Sequence, residues 1–330
     1  MTQISIFDGA TKFKIDKPIR LIELFGGYGS QALALKYLGV PFEHHFLSEW
    51  AVKSIQAYKD MHAFTDNTDY SQGMSDEEVI EFLLGRISAD YNTPMTRKQI
   101  EKHAGGELWR RSVYNNMMAT KNYGSIMKLH GTDLNVTDTD RFCYILTYSF
   151  PCQDLSSAGK GAGMEKGSGT RSGLLWEVER LLKEVNELPQ VLLMENVPEV
   201  IGTKNMPHFQ KWIAFLDELG YKTKVNVLNT KDFGIPQNRA RCFAVSVLGD
   251  YFYEHPHGFQ LDVRLKDVLE SNVSDEYYLK DSILKYFTKH SDEMKQKGNG
   301  FRFAPTDGNC CGKAITTRAG GRMDDNFIKE

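Results

Sequence analysis

The sequence predicts an α/β fold in which a doubly wound, mostly parallel sheet is followed by a smaller domain. Three observations lead to this prediction. Apolar runs of strand length alternate with segments of helical spacing along residues 18–248. The runs at 18–25, 190–196 and 240–248 are mostly apolar, as in strands that are buried on both faces. A glycine-rich turn separates the first strand from the first helix, where folds of this class bind nucleotides.

The predicted elements follow in a regular order. The first strand covers residues 18–25, and the helix after the glycine turn stops at Gly39, a residue suited to a helix end. A second strand and a second helix are predicted at 42–50 and 51–62. The later elements are strands at 141–150, 190–196, 222–230 and 240–248 and helices at 172–187 and 207–219.

Two regions depart from this alternation. Residues 63–129 are polar and charge-rich, with helical stretches but no comparable strand pattern, and they are predicted to form a helical insertion. After residue 250 the pattern weakens to short helical segments at 263–270 and 280–287 and a glycine-rich end. We therefore expect a main domain at 1–250 and a smaller domain at 251–330.

Composition limits the class of protein. Of the 330 residues, 41% are hydrophobic and 25% are charged, which is typical of a soluble globular protein. The net charge of −3 gives no overall attraction to nucleic acid, although a local cleft can still be basic. The sequence has no signal-peptide core or membrane-length apolar run, so we expect a cytoplasmic protein. The five cysteines include no C-x-x-C pair, which argues against a disulfide framework and a structural zinc site.

The glycine turn and the end of the second strand predict an adenosine-bearing cofactor. Phe25, Gly27 and Gly29 follow the first strand, where glycines let a ligand approach the backbone at a helix N-terminus. The spacing is not G-x-G-x-x-G, so a plain tight turn is an equal alternative. Glu49 lies about 20 residues later, where a carboxylate can accept ribose hydroxyls. Asp133 can bind an adenine amine, but capping of a helix or turn explains it equally well.

Cys152 follows the strand predicted at 141–150. Most cysteines in such proteins are packing residues, but this position favours chemistry because open α/β sheets build their sites at the carboxyl ends of strands. Pro151 fixes the backbone before it, and a glycine-rich segment with Lys160, Lys166 and Arg171 follows. Such a segment can close over a polyanion and exclude water, or it can be a surface connection.

Two more predicted strands carry polar groups. Glu195 ends the strand at 190–196, where apolar neighbours can raise its pKa so that it holds a proton for donation; the alternative is an exposed strand-end glutamate. Gln237, Arg239 and Arg241 alternate, so on one strand all three would project from one face. Two guanidiniums there can hold a base carbonyl, a phosphate or a carboxylate, or they can lie on a solvated edge strand.

Together these motifs resemble the cytosine-5 DNA methyltransferases. The matching blocks, in the order of that family, are ELFGGYGSQALAL, LSEW, GTDL, YSFPCQDLS with GSGTRSGLLWE, MENV and QNRARCF. They span roughly residues 20–245, and the Pro-Cys-Gln and Glu-Asn-Val blocks are highly specific. The resemblance implies the Rossmann-like fold of S-adenosylmethionine-dependent methyltransferases at 1–250, and a partial target-recognition domain at 251–330.

The resemblance also implies a mechanism. A methyl group would pass from S-adenosylmethionine, leaving S-adenosylhomocysteine, to C5 of a cytosine flipped out of double-stranded DNA, and no metal is implied. Cys152 would add to C6, Glu195 would bond N3 and the exocyclic amine, and Arg239, supported by Arg241, would hold O2. The implied cofactor-binding residues are Phe25, Gly27, Tyr28, Gly29, Glu49, Trp50, Asp133, Leu134, Pro151 and Leu174. The implied DNA-binding residues are Gln153, Ser156, Lys160, Arg171, Gln237 and Thr316.

Two departures from the family leave alternatives open. The insertion at 63–129 has no role that the resemblance explains. The segment around Thr316 resembles the core of the recognition region, but the two closing blocks of the family do not follow it. There are three alternatives: a truncated sequence, an interrupted gene, or the larger subunit of a split enzyme. Such a subunit would be weak or silent by itself and would need a second chain.

Other readings of the activity are a tRNA cytosine-5 methyltransferase and a catalytically silent DNA-binding protein. A nicotinamide oxidoreductase would not explain the cysteine, glutamate and arginine residues. The expected biological setting is restriction–modification or the modification of phage DNA.

Overall fold

The computed structural model describes residues 11–155, 163–298, 303–315, 322–323 and 325–329. The chain divides into two compact units, neither of which is continuous in sequence. The first unit contains Met1–Asn226 and Cys242–His255, and the second contains Val227–Arg241 and Pro256–Glu330. The sequence predicts one boundary near residue 250, whereas in this division the chain passes between the units after residues 226, 241 and 255.

The strands combine into one large sheet and two short pairs. Along the described residues they are β1 (Thr11–Lys12), β2 (Ile19–Leu24), β3 (Phe42–Ser48), β4 (Cys143–Tyr148), β5 (Val191–Asn196), β6 (Tyr221–Asn229), β7 (Gln237–Asn238), β8 (Ala240–Leu248), β9 (Tyr251–Phe252) and β10 (Gly312–Lys313). The large sheet has the order β3-β2-β4-β5-β8-β6, and β1 pairs with β9 and β7 with β10. Strands β2 to β5 are parallel and β8 is antiparallel to β5, so the predicted α/β class is confirmed.

The helices occupy the connections between strands. They are α1 (Ser30–Tyr37), α2 (Val52–His62), α3 (Asp76–Leu83), α4 (Arg97–Glu101), α5 (Gly106–Ala119), α6 (Leu175–Glu184), α7 (Met206–Glu218) and α8 (Asp281–Gln296). The helix predicted at 172–187 begins instead with a 3-10 turn, Ser172–Leu174, and ends earlier because Val185 has an extended backbone. Among the residues described, no helix is both long and apolar enough to cross a membrane.

The main core lies between the large sheet and helices α6 and α7. Strand β2 has buried residues on both faces, which explains why four of its six residues are apolar. Trp212 of α7 is fully buried in this core and donates from its indole nitrogen to the hydroxyl of Tyr148, at 3.1 Å. Burial of such aromatic side chains stabilises the fold by about 2 kcal/mol each. The carboxyl ends of β2, β3, β4 and β5 are thereby held at one edge of a rigid sheet.

The segment predicted as a helical insertion contains α3, α4 and α5. Two capping boxes begin its helices: Ser75 with Glu78 starts α3, and Thr96 with Gln99 starts α4. Together with α2, the three helices form a small apolar core. The buried residues of this core are Ile55, Val79, Ile80, Leu83, Ile87, Met95, Ile100, Val113 and Met117. The insertion is therefore a folded element with its own apolar interior.

Two predictions of secondary structure were wrong. The segment at 263–270 forms only a 3-10 turn, Leu265–Val268, in which no residue is buried, so no packing surface extends it into a helix. Gln237, Arg239 and Arg241 do not share one strand, because the pairing is interrupted at Arg239 between β7 and β8. The amide of Arg239 donates to Asn229 Oδ1 at 3.0 Å, and a side-chain acceptor thus replaces a strand partner there.

Candidate active site

The turn after β2 has a left-handed backbone, which glycine accepts easily and which Phe25 adopts with strain. Phe25, Gly27 and Gly29 have φ angles of 58°, 57° and 80°. A Cβ on Gly29 would lie 2.4 Å from the ring nitrogen Nε2 of His62, so α2 packs directly against the turn. The N-cap of α1 is Gly29 itself, which offers no side-chain cap, and the amides of Gly27 and Ala32 donate instead to carboxylates of neighbouring strands.

A buried carboxyl group lies behind this turn. Glu23 of β2 is 1% exposed, accepts from the amide of Ala32 at 3.4 Å, and accepts a hydrogen bond from the hydroxyl of Tyr58. Burial raises the pKa of Glu23 to about 7, against the opposing effect of these two donors. The Tyr58 hydroxyl also contacts His44 Nδ1 at 2.9 Å, and burial lowers the pKa of His44 to about 4.

Glu49 stands at the end of β3 with both carboxylate oxygens bound to backbone amides. Oε2 accepts from Gly27 at 2.9 Å, and Oε1 accepts from Ala51 at 2.7 Å. Burial raises the pKa of Glu49 to about 7, and the amide donors oppose this shift. The carboxylate links the end of β3 to the glycine turn after β2.

A cavity of about 1250 Å³ opens beside Glu49 in the first unit. Seven of the predicted site residues line it: Phe25, Glu49, Trp50, Pro151, Gln153, Arg171 and Leu174. Its volume is sufficient for a nucleoside-sized ligand, and it combines aromatic rings with a carboxylate, the groups that suit a base and a ribose. The residues present therefore fit an adenosine-bearing cofactor.

Other predicted cofactor residues lie outside this lining. Gly27 and Gly29 belong to the adjoining turn, and the side chain of Tyr28 is 56% exposed. Asp133 is exposed, and its carboxylate accepts from the amide of His130 at 2.8 Å, so it caps the 3-10 turn Gly131–Leu134. Leu134 is fully buried in the main core. For Asp133, the geometry matches the capping alternative raised by the sequence.

The turn at Cys152 is held by residues of its own motif. Cys152 is half-buried and packs against the main core. The buried carboxylate of Asp154 accepts from the amides of Arg171 at 2.9 Å and Ser172 at 3.3 Å. The hydroxyl of Ser172 donates to the carbonyl of Pro151 at 2.7 Å, and the amide of Gly163 donates to the carbonyl of Asp154 at 2.9 Å. The backbone on both sides of Cys152 is thus fixed to the 3-10 turn that precedes α6.

A buried asparagine connects the Cys152 turn to the end of β5. Asn196 Nδ2 donates to the carbonyl of Phe150 at 2.9 Å, two residues before the cysteine. Glu195 precedes this asparagine, is half-buried, and pairs with Phe243 of β8. Cys242 of β8 is buried and pairs with Asn196, and burial together with the charge of Glu195 raises the pKa of the Cys242 thiol to about 11. The two strand ends that carry the predicted nucleophile and carboxyl group are therefore neighbours.

The remaining predicted residues that the structure describes are in the second unit. Arg239 and Arg241 are half-buried, and Arg241 donates to the carbonyl of Ala240 at 2.7 Å. Gln237 lies in β7, opposite Gly312 of β10. Predictions for three further residues, Ser156, Lys160 and Thr316, lie outside the described residues. Within the described ranges, no group of three or more His, Cys, Asp or Glu residues could hold a metal ion.

Sequence reasoning missed a large part of the cavity lining. Residues of the helical insertion line one side of it: Gly85, Tyr91, Asn92, Pro94, Gly124, Ser125, Ile126, Met127 and Lys128. Arg171, on the segment after Cys152, donates to Asn92 of the insertion. No periodicity or motif within 63–129 indicates this role, whereas Asp154 and Ser172 lie within the recognised blocks and could have been found there.

Comparison with known proteins identifies relatives over most of the chain. A family described as C-5 cytosine-specific DNA methylase matches residues 95–324. The orphan methyltransferase M.SssI of Spiroplasma monobiae is 38% identical over 275 residues, which cover 82% of this chain and 69% of that protein. The type II methyltransferase M2.ScrFI of Lactococcus lactis subsp. cremoris is 36% identical over 267 residues, covering 80% and 71%.

Solved structures show the same fold at lower identity. The S. pombe Dnmt2 methyltransferase superimposes with a TM-score of 0.57 at 16% identity, over 95% of this chain and 74% of that one. A mutant of the Spodoptera frugiperda DNMT2 gives a TM-score of 0.53 at 15% identity, over 94% and 75%. These likenesses agree with the α/β architecture described above.

Proposed function

Because the chain belongs to the C-5 cytosine-specific DNA methylase family, we propose that it transfers a methyl group from S-adenosylmethionine to C5 of a cytosine in duplex DNA. One observation carries the proposal most directly. The hydrogen bond from Asn196 to the carbonyl of Phe150 joins the strand ends of Cys152 and Glu195 beside a cavity that Pro151 lines. The target cytosine leaves the base stack in this proposal, because its C5 and C6 atoms cannot be reached inside the duplex.

The cavity residues hold the cofactor. Glu49 accepts hydrogen bonds from the ribose hydroxyls, and Trp50 contacts the adenine. Phe25 and the glycine turn lie along the methionine part, with Pro151 and Leu174 lining the rest of the pocket. Bound S-adenosylmethionine supplies an electrophilic methyl group on a positively charged sulfur. Asp133 and Leu134 remain proposed contacts to the adenine, and Tyr28 to the methionine part.

Cys152 and Glu195 activate the base. The thiolate of Cys152 forms a bond to C6, which places electron density on C5; without this bond neutral cytosine is too poor a carbon nucleophile. Glu195 bonds N3 and the exocyclic amine and stabilises the charge that moves into the ring. Once C5 carries the methyl group, its proton leaves to solvent, the bond from Cys152 to C6 breaks, and the thiolate is restored.

The polar residues around the Cys152 turn and in the second unit provide the DNA contacts. Arg239 holds O2 of the base and Arg241 supports it, and a guanidinium suits this because it donates in a fixed plane. Gln153 and Arg171 line the cavity and contact the DNA beside the flipped base. Ser156, Lys160, Gln237 and Thr316 complete the proposed DNA-binding set.

A trapping experiment tests the proposal. The purified chain is incubated with S-adenosylmethionine and a duplex that contains 5-fluorocytosine, and a covalent protein–DNA complex is sought on a denaturing gel. We expect such a complex, because fluorine at C5 blocks the elimination that would release Cys152. Cys152→Ala should form none, whereas Cys310→Ala, which changes an exposed cysteine, should form it normally.

Methyl-transfer assays with the same purified chain distinguish the DNA methyltransferase from the tRNA methyltransferase and the silent protein. Labelled methyl groups should enter duplex DNA and not tRNA. Incorporation into tRNA alone would support the tRNA methyltransferase instead. Cofactor binding without trapping or methyl transfer to either nucleic acid would overturn the proposed activity of this chain and favour a silent DNA-binding protein or subunit.

A further inference from the structure

The helical insertion reaches the end of β3 and pairs with it. The amide of Leu47 donates to the carbonyl of Lys121 at 3.0 Å, and the amide of Tyr123 donates to the carbonyl of Leu47 at 2.9 Å. The hydroxyl of Ser48 donates to the carbonyl of Gly124 at 2.7 Å. Residues 121–124 therefore run beside the last residues of β3, directly before Glu49.

Asn122 extends this pairing with its side chain. It is fully buried, and its Oδ1 accepts from the amide of Glu49 at 3.0 Å while its Nδ2 donates to the carbonyl of Glu49 at 3.0 Å. Oδ1 also accepts from the amide of Gly124 at 2.9 Å. A primary amide matches a peptide group because it presents a donor and an acceptor side by side. The side chain of Asn122 thus bonds the main chain of Glu49 as the backbone of a neighbouring strand would.

The main chain and the carboxylate of Glu49 are consequently both fixed. Asn122 holds the peptide groups on either side of its Cα, and the amides of Gly27 and Ala51 hold the two carboxylate oxygens. A group fixed at both ends loses little conformational freedom when it binds a ligand. The orientation of this carboxylate in the cavity therefore depends on the insertion.

We propose that Asn122 is a positioning residue that holds Glu49 in the orientation that recognises the ribose of the cofactor. The insertion then has a role at the cofactor cavity, which it also lines through Tyr91, Asn92 and Pro94. This inference rests on the proposed function, because it takes the cavity to be the S-adenosylmethionine site. Asn122 itself touches Glu49 and does not line the cavity.

The test measures ribose recognition in the intact chain. S-adenosylhomocysteine and its 2′-deoxy analogue are titrated into the wild type and into Asn122→Ala, and the ratio of the two dissociation constants is compared. The wild type should prefer the ribose by about tenfold or more, since the 2′-deoxy analogue lacks a hydroxyl that would donate a charge-assisted hydrogen bond to the Glu49 carboxylate. In Asn122→Ala we expect the affinity for S-adenosylhomocysteine to fall about tenfold and the ratio to approach one.

Two further variants make the outcome decisive. Asn115→Ala is the matched control: this asparagine lies in the same insertion and bonds Ser71 and Asp69, so its loss should leave the ratio at the wild-type value. Asn122→Asp is isosteric and keeps the packing, but it replaces the donor to the carbonyl of Glu49 by an acceptor, and it should also lower the ratio. Thermal unfolding of each variant confirms that it is folded.

The possible failures are distinguishable. A wild type that does not bind S-adenosylhomocysteine would overturn the proposed function. A wild type that binds and prefers the ribose, together with Asn122 variants that keep the same preference, would overturn only the role of Asn122. Equal weakening of both ligands, with an unchanged ratio, would assign Asn122 to general stability and would also contradict the inference.

Discussion

The strand ends that carry the proposed chemistry are supported in different ways. At the end of β3, Glu49 is held by Asn122, which lies 73 residues further along the chain in the helical insertion. At the end of β4, the Cys152 turn is held by Asp154 and Ser172, which belong to the same recognised blocks as the cysteine. The support of the proposed cofactor-binding glutamate is therefore distant in sequence, and that of the proposed nucleophile is local.

The largest expected effect is that of Glu195→Gln at the end of β5, which should slow methyl transfer without changing cofactor binding at the end of β3. In Glu195→Gln, methyl transfer to duplex DNA should fall by about a hundredfold to a thousandfold, because the ring loses the group that stabilises its charge. The affinity for S-adenosylhomocysteine should stay at the wild-type value. Steady-state methylation and calorimetric titration measure the two quantities.

Glu199→Gln is the matched control for this change, since Glu199 is an exposed carboxylate four residues further along. Its methylation rate should equal that of the wild type. An equal loss of cofactor affinity in Glu195→Gln would show that the two strand ends do not act separately.

The second effect tests the local support of the cysteine turn. Asp154→Ala removes the acceptor of the Arg171 and Ser172 amides, and methyl transfer should fall by about tenfold to a hundredfold while the free energy of unfolding falls by about 1–3 kcal/mol. Both amides are bound by one oxygen, so Asp154→Asn should recover most of the loss. Activity assays and denaturant unfolding decide this, and an Asn variant no better than Ala would contradict the assignment.

The contrast explains what the sequence could and could not predict. The sequence predicts strand β8 at its observed bounds because nine consecutive residues are mostly apolar between turn residues. It also predicts a functional position at Cys152, because this residue follows directly on the strand predicted at 141–150. The residues that hold its turn, Asp154 and Ser172, lie in the recognised blocks but were not predicted. The contact of Asn122 with Glu49 was not predictable, because one polar residue in a polar segment gives no signal until the insertion has folded onto β3.

The break at Arg239 shows a second limit of sequence reasoning. Alternation of long polar residues indicates a strand face only while the backbone pairing continues. Here Oδ1 of Asn229 accepts a hydrogen bond from the amide of Arg239. This hydrogen bond forms only when the segment at 227–241 folds back on itself. Such a side-chain acceptor competes with strand pairing in a way that residue type alone does not reveal.

A pH titration of cofactor affinity isolates Glu49. Its pKa is raised to about 7 by burial. In the proposed site ribose hydroxyls donate to the ionised form, so cofactor binding should release a proton. The affinity for S-adenosylhomocysteine should therefore rise by up to about tenfold per pH unit as the pH increases to about 7, and then level off. Titration calorimetry between about pH 6 and about pH 8 measures this.

Glu49→Gln is the comparison for this titration. The variant should bind more weakly and with little pH dependence over the same range. A pH dependence that persists unchanged would assign the proton to another group, of which Glu23 behind the glycine turn is the first to examine, since burial raises its pKa to about 7 as well.

The smallest expected effect concerns the segment after the cysteine turn. Lys166 pairs with the buried carboxylate of Glu179 at 2.8 Å, but Lys183 pairs with the same carboxylate. Lys166→Ala should therefore lower the free energy of unfolding by less than about 1 kcal/mol, since Glu179 keeps a partner. In denaturant unfolding, Lys166→Ala combined with Lys183→Ala should cost more than the two single changes together, and strict additivity would contradict shared support.

The discontinuous second unit has a consequence for engineering the protein. An exchange of this unit between relatives by a single crossover near residue 250 would leave Val227–Arg241 from one parent and Pro256–Glu330 from the other. The pairing of Gln237 with Gly312 would then join strands of different parentage. A functional chimera therefore needs both segments of the second unit from the same parent. Cys242 and the rest of β8 should come from the parent that supplies Glu195, because β8 pairs with β5.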